Sequence, residues 1–586
     1  MNSQKITGIP RRAIGLLFIV VAVLGPVSAQ NTIFQPPRGI SPKGLPGGTL
    51  KANPRIGTIP DAAQPADALT FTYRTTFYAY AVSKGPSAEG RRSISIPATW
   101  EGRPVLYIGD EGFKGLDMLE SINLPDGLVG IGREAFRDCP SLAAVAIPDS
   151  VTFIGGQAFQ ECVRLEAIRL PDGVRIIEPE LFSGCRSLET INLSPWTTRI
   201  GEAAFENCEG LPGLELPETI AAIPPFAFSG CSSLSELRIP TGVSAIGPGA
   251  FMRCSALETL ALPEGLTAIE EETFLGCSSL ENLSLPSTLR FIRDGGFRGY
   301  DAFGDLIIPE GVTSIGEEAF KGCVGLESLA LPDSLRSLGD SVCEDCAGLR
   351  AVIVGGRAPI PYGAFRGCAA LERVTLREGV PSIEAAAFKE CASLRVLHLP
   401  GSLGSIGESA FESCSSLVGL TLPDALASIE SWAFKGCASL ATLQLPRQRN
   451  TSIGDFAFAD CVSLDNLVIP GSIFTIGTNA FFRCEGLRAL TISEGVRAIE
   501  EGAFRFCSNL SALTLPGTTL SIMNYAFGDC PNLNRITVKA TIPPNKGGAG
   551  FPPHWEVASL RVPAASMAAY KANPQWKAYN AVISGF

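Results

Sequence analysis

The chain has 586 residues, well beyond the roughly 250–300 at which a single compact core stops growing, so it is either several domains or one elongated repeat. Hydrophobic residues make up 46% and charged residues 18%, which excludes a disordered chain. A formal net charge of −11 with no basic block excludes an ordinary nucleic-acid binder, and two histidines, His398 and His554, leave little material for histidine catalysis or a zinc site.

The N-terminus predicts an export signal over residues 1–29. Lys5, Arg11 and Arg12 precede an apolar run from Ala13 to Leu24, and Val27-Ser28-Ala29 supplies a small-residue cleavage site. That run is shorter than the about 20 residues a membrane-spanning helix needs; the alternative is an uncleaved anchor. No transmembrane segment is expected in the mature chain, which is predicted to be exported: on the cell surface, extracellular or periplasmic. Residues 30–68, rich in Pro and Gly, read as a linker.

From about Arg103 to Val538 the cysteines count out a repeat. Cys139, Cys162, Cys185, Cys208, Cys231, Cys254 and Cys277 are spaced by 23 residues, Tyr300 takes the next slot, and Cys323 and Cys346 follow. One interval of 22 leads to Cys368 and one of 24 separates Cys437 from Cys461; the last member is Cys530. With Leu116 in the first slot this makes nineteen units, and such self-similarity predicts a solenoid. Three residues before each slot lies Phe, except at Cys343. One unit runs from Ile246 to Pro263, and Phe251, Cys254, Leu257, Leu260 and Leu262 are its predicted core.

The spacings give each unit its physics. Leu260-x-Leu262 alternates with period two and predicts a strand with both leucines on one face. Pro263 ends it, because proline cannot donate to a ladder. Ala250-Phe251-x-x-Cys254-x-x-Leu257 has near-helical spacing but is too short for an independent helix, and predicts one turn of α- or 3₁₀-helix. Since no unit can bury its own apolar face, stacked units should share one core under a parallel sheet.

The recurring Ile-Gly-x-x-Ala-Phe-x-x-Cys-x-x-Leu-x-x-Leu-x-Leu-Pro unit resembles the BspA-like leucine-rich-repeat surface proteins. The resemblance implies an α/β repeat: a leucine-rich-repeat solenoid, a parallel sheet on one face and short helical turns opposite. Residues 69–102 resemble the opening hairpin cap, residues 103–540 the nineteen repeats, and residues 541–586 a closing cap with Val562, Tyr570 and Trp576. It implies an exported or surface protein that binds macromolecules, with no cofactor and no catalytic site.

Three sets of residues admit a sharper chemistry. Cys343-Glu-Asp-Cys346 is the only CxxC and could be a redox or metal motif; by register both sulfurs fill core slots, and Glu344 and Asp345 flank them. The cysteine series could form disulfides, yet rungs about 4.8 Å apart exceed the Cβ separation a disulfide prefers, and Leu116 and Tyr300 fill the same slot without sulfur. Free, buried thiols are therefore expected. Glu166 and Glu189, or Glu258 and Glu281, could form a cation-binding row or a solvated face. His398 is expected on the surface.

Strand alternation places the residue between the last two aliphatics outward. Ala261, Ser284, Ile307, Ala330 and Ile353 are consecutive uncharged members of that row, with Asn282 beside them in the row two residues earlier. They are the predicted partner-binding residues, with Arg238, Asp305 and Arg373 toward the rim. The plain alternative is that Ile and Val simply suit strands. The functional expectation is an exported interaction module, a surface or secreted adhesin for a protein or other extracellular macromolecule and not for nucleic acid. The alternative is an envelope-spacing repeat protein with no specific partner.

Overall fold

A computed structural model describes residues 67–281, 283–448, 451–553 and 556–586. The export signal, the linker before Asp67, Asn282 and His554 lie outside the described residues.

Each coil carries two short extended pieces, and each piece stacks in parallel on the same piece of the next coil. The first is the expected Leu-x-Leu strand. Ala167–Arg169 pairs with Thr190–Asn192 so that Ile168 faces Ile191 in the interior, while Arg169 and Asn192 project outward. The second piece is only two or three residues long in most coils and ends on the Ile of Ile-Gly. Ile176–Ile177 pairs with Arg199–Ile200, with Ile177 and Ile200 buried. Toward the C-terminus both ladders are continuous over eight strands, one from Gly419–Thr421 to Ile583–Gly585, the other from Ser382–Ile383 to Asn545–Lys546. Where glycine follows that Ile the coils approach closely: a Cβ on Gly155 would lie 2.5 Å from the backbone nitrogen of Arg133 in the preceding coil.

The predicted solenoid thus forms, but its turn face differs from expectation. Among the described residues, helix is confined to Ala564–Ser566, Met567–Ala572 and Lys577–Tyr579. The Ala-Phe-x-x-Cys stretch is instead a run of tight turns with two left-handed residues, such as Glu134 (φ 53°) and Asp138 (φ 57°), which no right-handed helix contains. Its alternate amides donate to the next coil: Glu134 N to Gly156 O (3.0 Å), Phe136 N to Ala158 O (2.8 Å) and Asp138 N to Gln160 O (2.9 Å). A helix about 10 Å across in every coil would have to spread the turn face and curve the stack, whereas this flat turn keeps the strands' own rung spacing of about 4.8 Å.

The interior is two columns. The first is an aromatic ladder. Successive rings from Phe113 to Phe320 stack nearly parallel, with Phe228 and Phe251 5.8 Å apart and Phe251 and Phe274 also 5.8 Å apart. The ladder resumes at Phe365 after Cys343 takes a ring's place. The second column is sulfur. Each cysteine of the series is buried and free, and its Sγ–H donates to the carbonyl of the ladder residue in the preceding coil: Cys162 to Phe136 O at 3.2 Å, Cys254 to Phe228 O at 3.1 Å and, where Cys343 replaces the ring, Cys368 to Cys343 O at 3.1 Å. Cysteine therefore acts as a small apolar side chain that also satisfies a buried acceptor. Burial pushes the Cys139 thiol up to about 11 and the Cys231 thiol up to about 12, so both stay protonated at neutral pH. Cys343 and Cys346 are both fully buried, which places the CxxC in this core.

Both ends are closed. Leu69–Arg74 and Ala79–Lys84 form an antiparallel hairpin, and the second strand runs parallel to Arg103–Ile108. At the other end Phe551 stacks on Phe527 at 5.6 Å, and Trp576 packs on Phe551 with its Nε1 donating to Pro544 O at 2.9 Å. Tyr570 and Tyr579 donate their hydroxyls to Ala540 O and Pro552 O.

Candidate interaction surface

The outward residues of the strand ladder are set by its register. Asp305–Ile307, Ser328–Leu331 and Ala351–Val354 lie side by side, with Leu306, Leu329 and Val352 inward. Ile307 faces Ala330, and Ala330 faces Ile353. Three predicted residues are thereby brought into one row, and Ile307 is 76% and Ile353 37% exposed, unusual for β-branched apolar side chains. Beside the row Ser328 Oγ donates to Asp305 Oδ1 at 2.5 Å. The row continues through Thr375 to His398, which is exposed on its strand.

Ala261 and Ser284 are exposed but do not join this row through the ladder. Among the described residues between Glu236–Arg238 and Asp305–Ile307, the pairing of this ladder is a single bridge from Glu236 to Thr259. Arg238 at that end is engaged by Glu218 at 2.7 Å. Asn282 lies outside the described residues. Among the described residues, no three or more His, Cys, Asp or Glu side chains are grouped to hold a metal ion.

The turn face carries two features that sequence reasoning missed. Over much of its length it is an interlocked ladder of ion pairs. Buried Glu134 meets Lys114 at 2.6 Å and Arg137 at 3.2 Å, and buried Glu344 meets Lys321 at 3.1 Å and Arg366 at 2.7 Å. The hydrogen bond from Lys114 holds the Glu134 carboxyl below its usual range. In the later coils aromatic side chains replace these charges. Trp432 stacks with Phe456 at 6.1 Å, Phe456 lies 6.3 Å from Phe482, and Phe482 meets Phe506 edge-on at 5.3 Å. Arg505 lies over both Phe506 and Tyr525, at 4.8 and 4.7 Å. The signal was present: the place two residues before the ladder Phe holds Glu111, Glu134 and Glu318 early, and Trp432, Phe456 and Tyr525 late.

With this geometry in hand, comparison with known proteins is informative. Residues 106–235, 198–302, 221–350, 290–418, 358–485 and 451–543 match the model of the BspA type leucine rich repeat region. A leucine-rich repeat protein from Bacteroides ovatus is 28% identical over 70% of this chain and 95% of its own, with a TM-score of 0.53. A leucine-rich repeat protein from Eubacterium ventriosum is 19% identical over 63% of this chain and 93% of its own, with a TM-score of 0.36. A leucine rich cell surface protein from Faecalibacterium prausnitzii is 23% identical over 73% and 94%, with a TM-score of 0.29. No curated protein matches the chain.

Proposed function

We infer, from the premise that this chain belongs to the BspA-type leucine-rich repeat family, that it is an exported interaction module that holds a protein partner on its strand face. The leucine-rich repeat solenoid is typically a scaffold for interaction, because stacked units offer a long continuous surface and no enclosed site. The observation that carries the reading is the exposed apolar row Ile307, Ala330 and Ile353. Two large β-branched side chains left exposed to water on either side of Ala330 are stabilised when a partner covers them, each by about 1.5–3 kcal/mol if fully buried. Export is supported by the layout of residues 1–29.

The test is a binding screen of the intact chain against proteins from its surroundings, followed by the double variant Ile307→Arg and Ile353→Arg. Two arginines in the centre of the contact would have to be desolvated, so affinity should fall by about a hundredfold while the melting temperature is unchanged. Unchanged affinity would move the contact to another face. A screen with no saturable partner would favour the envelope-spacing role.

A further inference from the structure

A second, smaller site lies on the other ladder near the N-terminal end. One row on four successive strands is Ala81, Tyr107, Gly130 and Phe153, paired in that order, with Ala81 and Gly130 buried, Tyr107 half-buried and Phe153 exposed. Phe77, from the hairpin loop, lies 5.1 Å from the Tyr107 ring. The row therefore carries an aromatic ring at Tyr107 and at Phe153, and only a glycine on the strand between. The result is a surface hollow of about 250 Å³, lined by Phe77, Tyr107, Gly130 and Phe153, with Arg74 and Asp110 as its charged residues. Phe153 is 52% and Phe77 56% exposed, so this is apolar surface held open to water.

The molecule's own interior shows what such a spacing accepts. Rings on adjacent rungs stack at 5.1 Å for Phe365 and Phe388 and 5.8 Å for Phe228 and Phe251. A guest ring seated against the half-exposed Phe153 would stack at the same spacing. The Tyr107 ring leans over Gly130, where a Cβ would come 3.0 Å from its Cδ1, and so forms one wall of the hollow.

Polar groups decide the class of ligand. The amides around the floor are already used: Val129 N donates to Leu106 O, Gly132 N to Ile108 O and Thr152 N to Val129 O. Asp110 Oδ1 accepts from Arg133 N at 2.9 Å. A sugar ring would bring several hydroxyls into a hollow with few free partners, each costly to bury unpaired. An apolar ring has no such cost. Arg74 is exposed and forms no ion pair with any described residue, so the rim offers a free guanidinium. We propose that this hollow binds an aromatic side chain of a protein partner, flanked by an acidic residue that pairs with Arg74. This site is separate from the Ile307 row and does not depend on it.

The probe is N-acetyl-aspartyl-tryptophan amide, titrated into the intact chain by ligand-observed NMR, with N-acetyl-tryptophan amide and cellobiose alongside. The dipeptide should bind saturably in the millimolar range, as expected for one ring and one ion pair. Gly130→Ile should weaken it about tenfold or more by filling the hollow. Ile176 occupies the corresponding place in a later coil and is exposed there, so a branched side chain suits the strand, and the half-buried Tyr107 ring must swing aside to admit it. Phe153→Ala, a change at a half-exposed side chain, provides an independent loss of one wall. Arg74→Gln should lower dipeptide affinity to that of N-acetyl-tryptophan amide. Saturable dipeptide binding that both Gly130→Ile and Phe153→Ala leave unchanged would overturn the site. So would no saturable binding to the unmodified chain, or cellobiose displacing the dipeptide.

Discussion

Ending the chain at Val538 is expected to abolish a stable monomer. Such a chain loses Phe551, which caps the aromatic ladder, and Trp576, Tyr570 and Leu560, all buried. It also leaves Ser521–Ile522 and Arg535–Val538 as bare strand edges, each an open template for pairing with another chain. Burial of four large side chains contributes of order 10 kcal/mol, comparable with the whole stability of a typical domain. Expression of residues 30–538 should give aggregate or very low yield, checked by size-exclusion chromatography and thermal melting beside the full chain. A monomer with an unchanged melting temperature would show that the closing segment is dispensable.

Phe251→Ala should cost about 3–5 kcal/mol, the usual range for a fully buried phenylalanine. The ring stacks on Phe228 and Phe274, so its loss opens a cavity that neither neighbour can fill by moving along the column. Cys254→Ala should cost less, about 1–3 kcal/mol, chiefly because Phe228 O loses the thiol that satisfies it. Native-state hydrogen exchange reads both effects locally, since each coil contacts its neighbours alone. The same experiment should find weak protection around Leu338–Leu349 in the unmodified chain, where Cys343 interrupts the aromatic column between Phe320 and Phe365. Equal costs for the two variants, or uniform protection through Cys343, would contradict the ladder as the source of stability.

Much of this was legible because burial repeats. Whatever points inward must recur at the same place in every coil, so Phe, Cys and the two leucines announce the core and the strand register unaided. The turn was not legible from the same pattern, because Phe and Cys three residues apart mimic a helical face. A local sign of the true geometry did exist: Gly184, Gly230, Gly276, Gly322 and Gly436 sit directly before a cysteine and all take positive φ. Asp138 and Glu161 adopt the same left-handed conformation without being glycine, which hid it. The second ladder escaped notice because two residues per coil make no detectable alternation.

The contact surface was readable in part. Ile307, Ala330 and Ile353 could be aligned by counting, since they share one strand ladder. The loss of strand pairing after Thr259 among the described residues could not, because those coils carry the same leucines as their neighbours. The aromatic strip from Trp432 to Tyr525 depends on which turn residues meet across coils, and the hollow at Gly130 on the register of the second ladder, neither of which the repeat pattern shows.

The central claim is that one register places the cysteines of the series as buried hydrogen-bond donors inside a single continuous stack, with Cys343 buried in a ring's place beside them. Thiol titration without reductant tests it most directly. In the native chain the sulfurs should be unreactive, protected by burial and by their raised ionisation, and denaturation should release all 18. Rapid reaction of several thiols in the native chain, or clearly fewer than 18 after denaturation, would contradict that register.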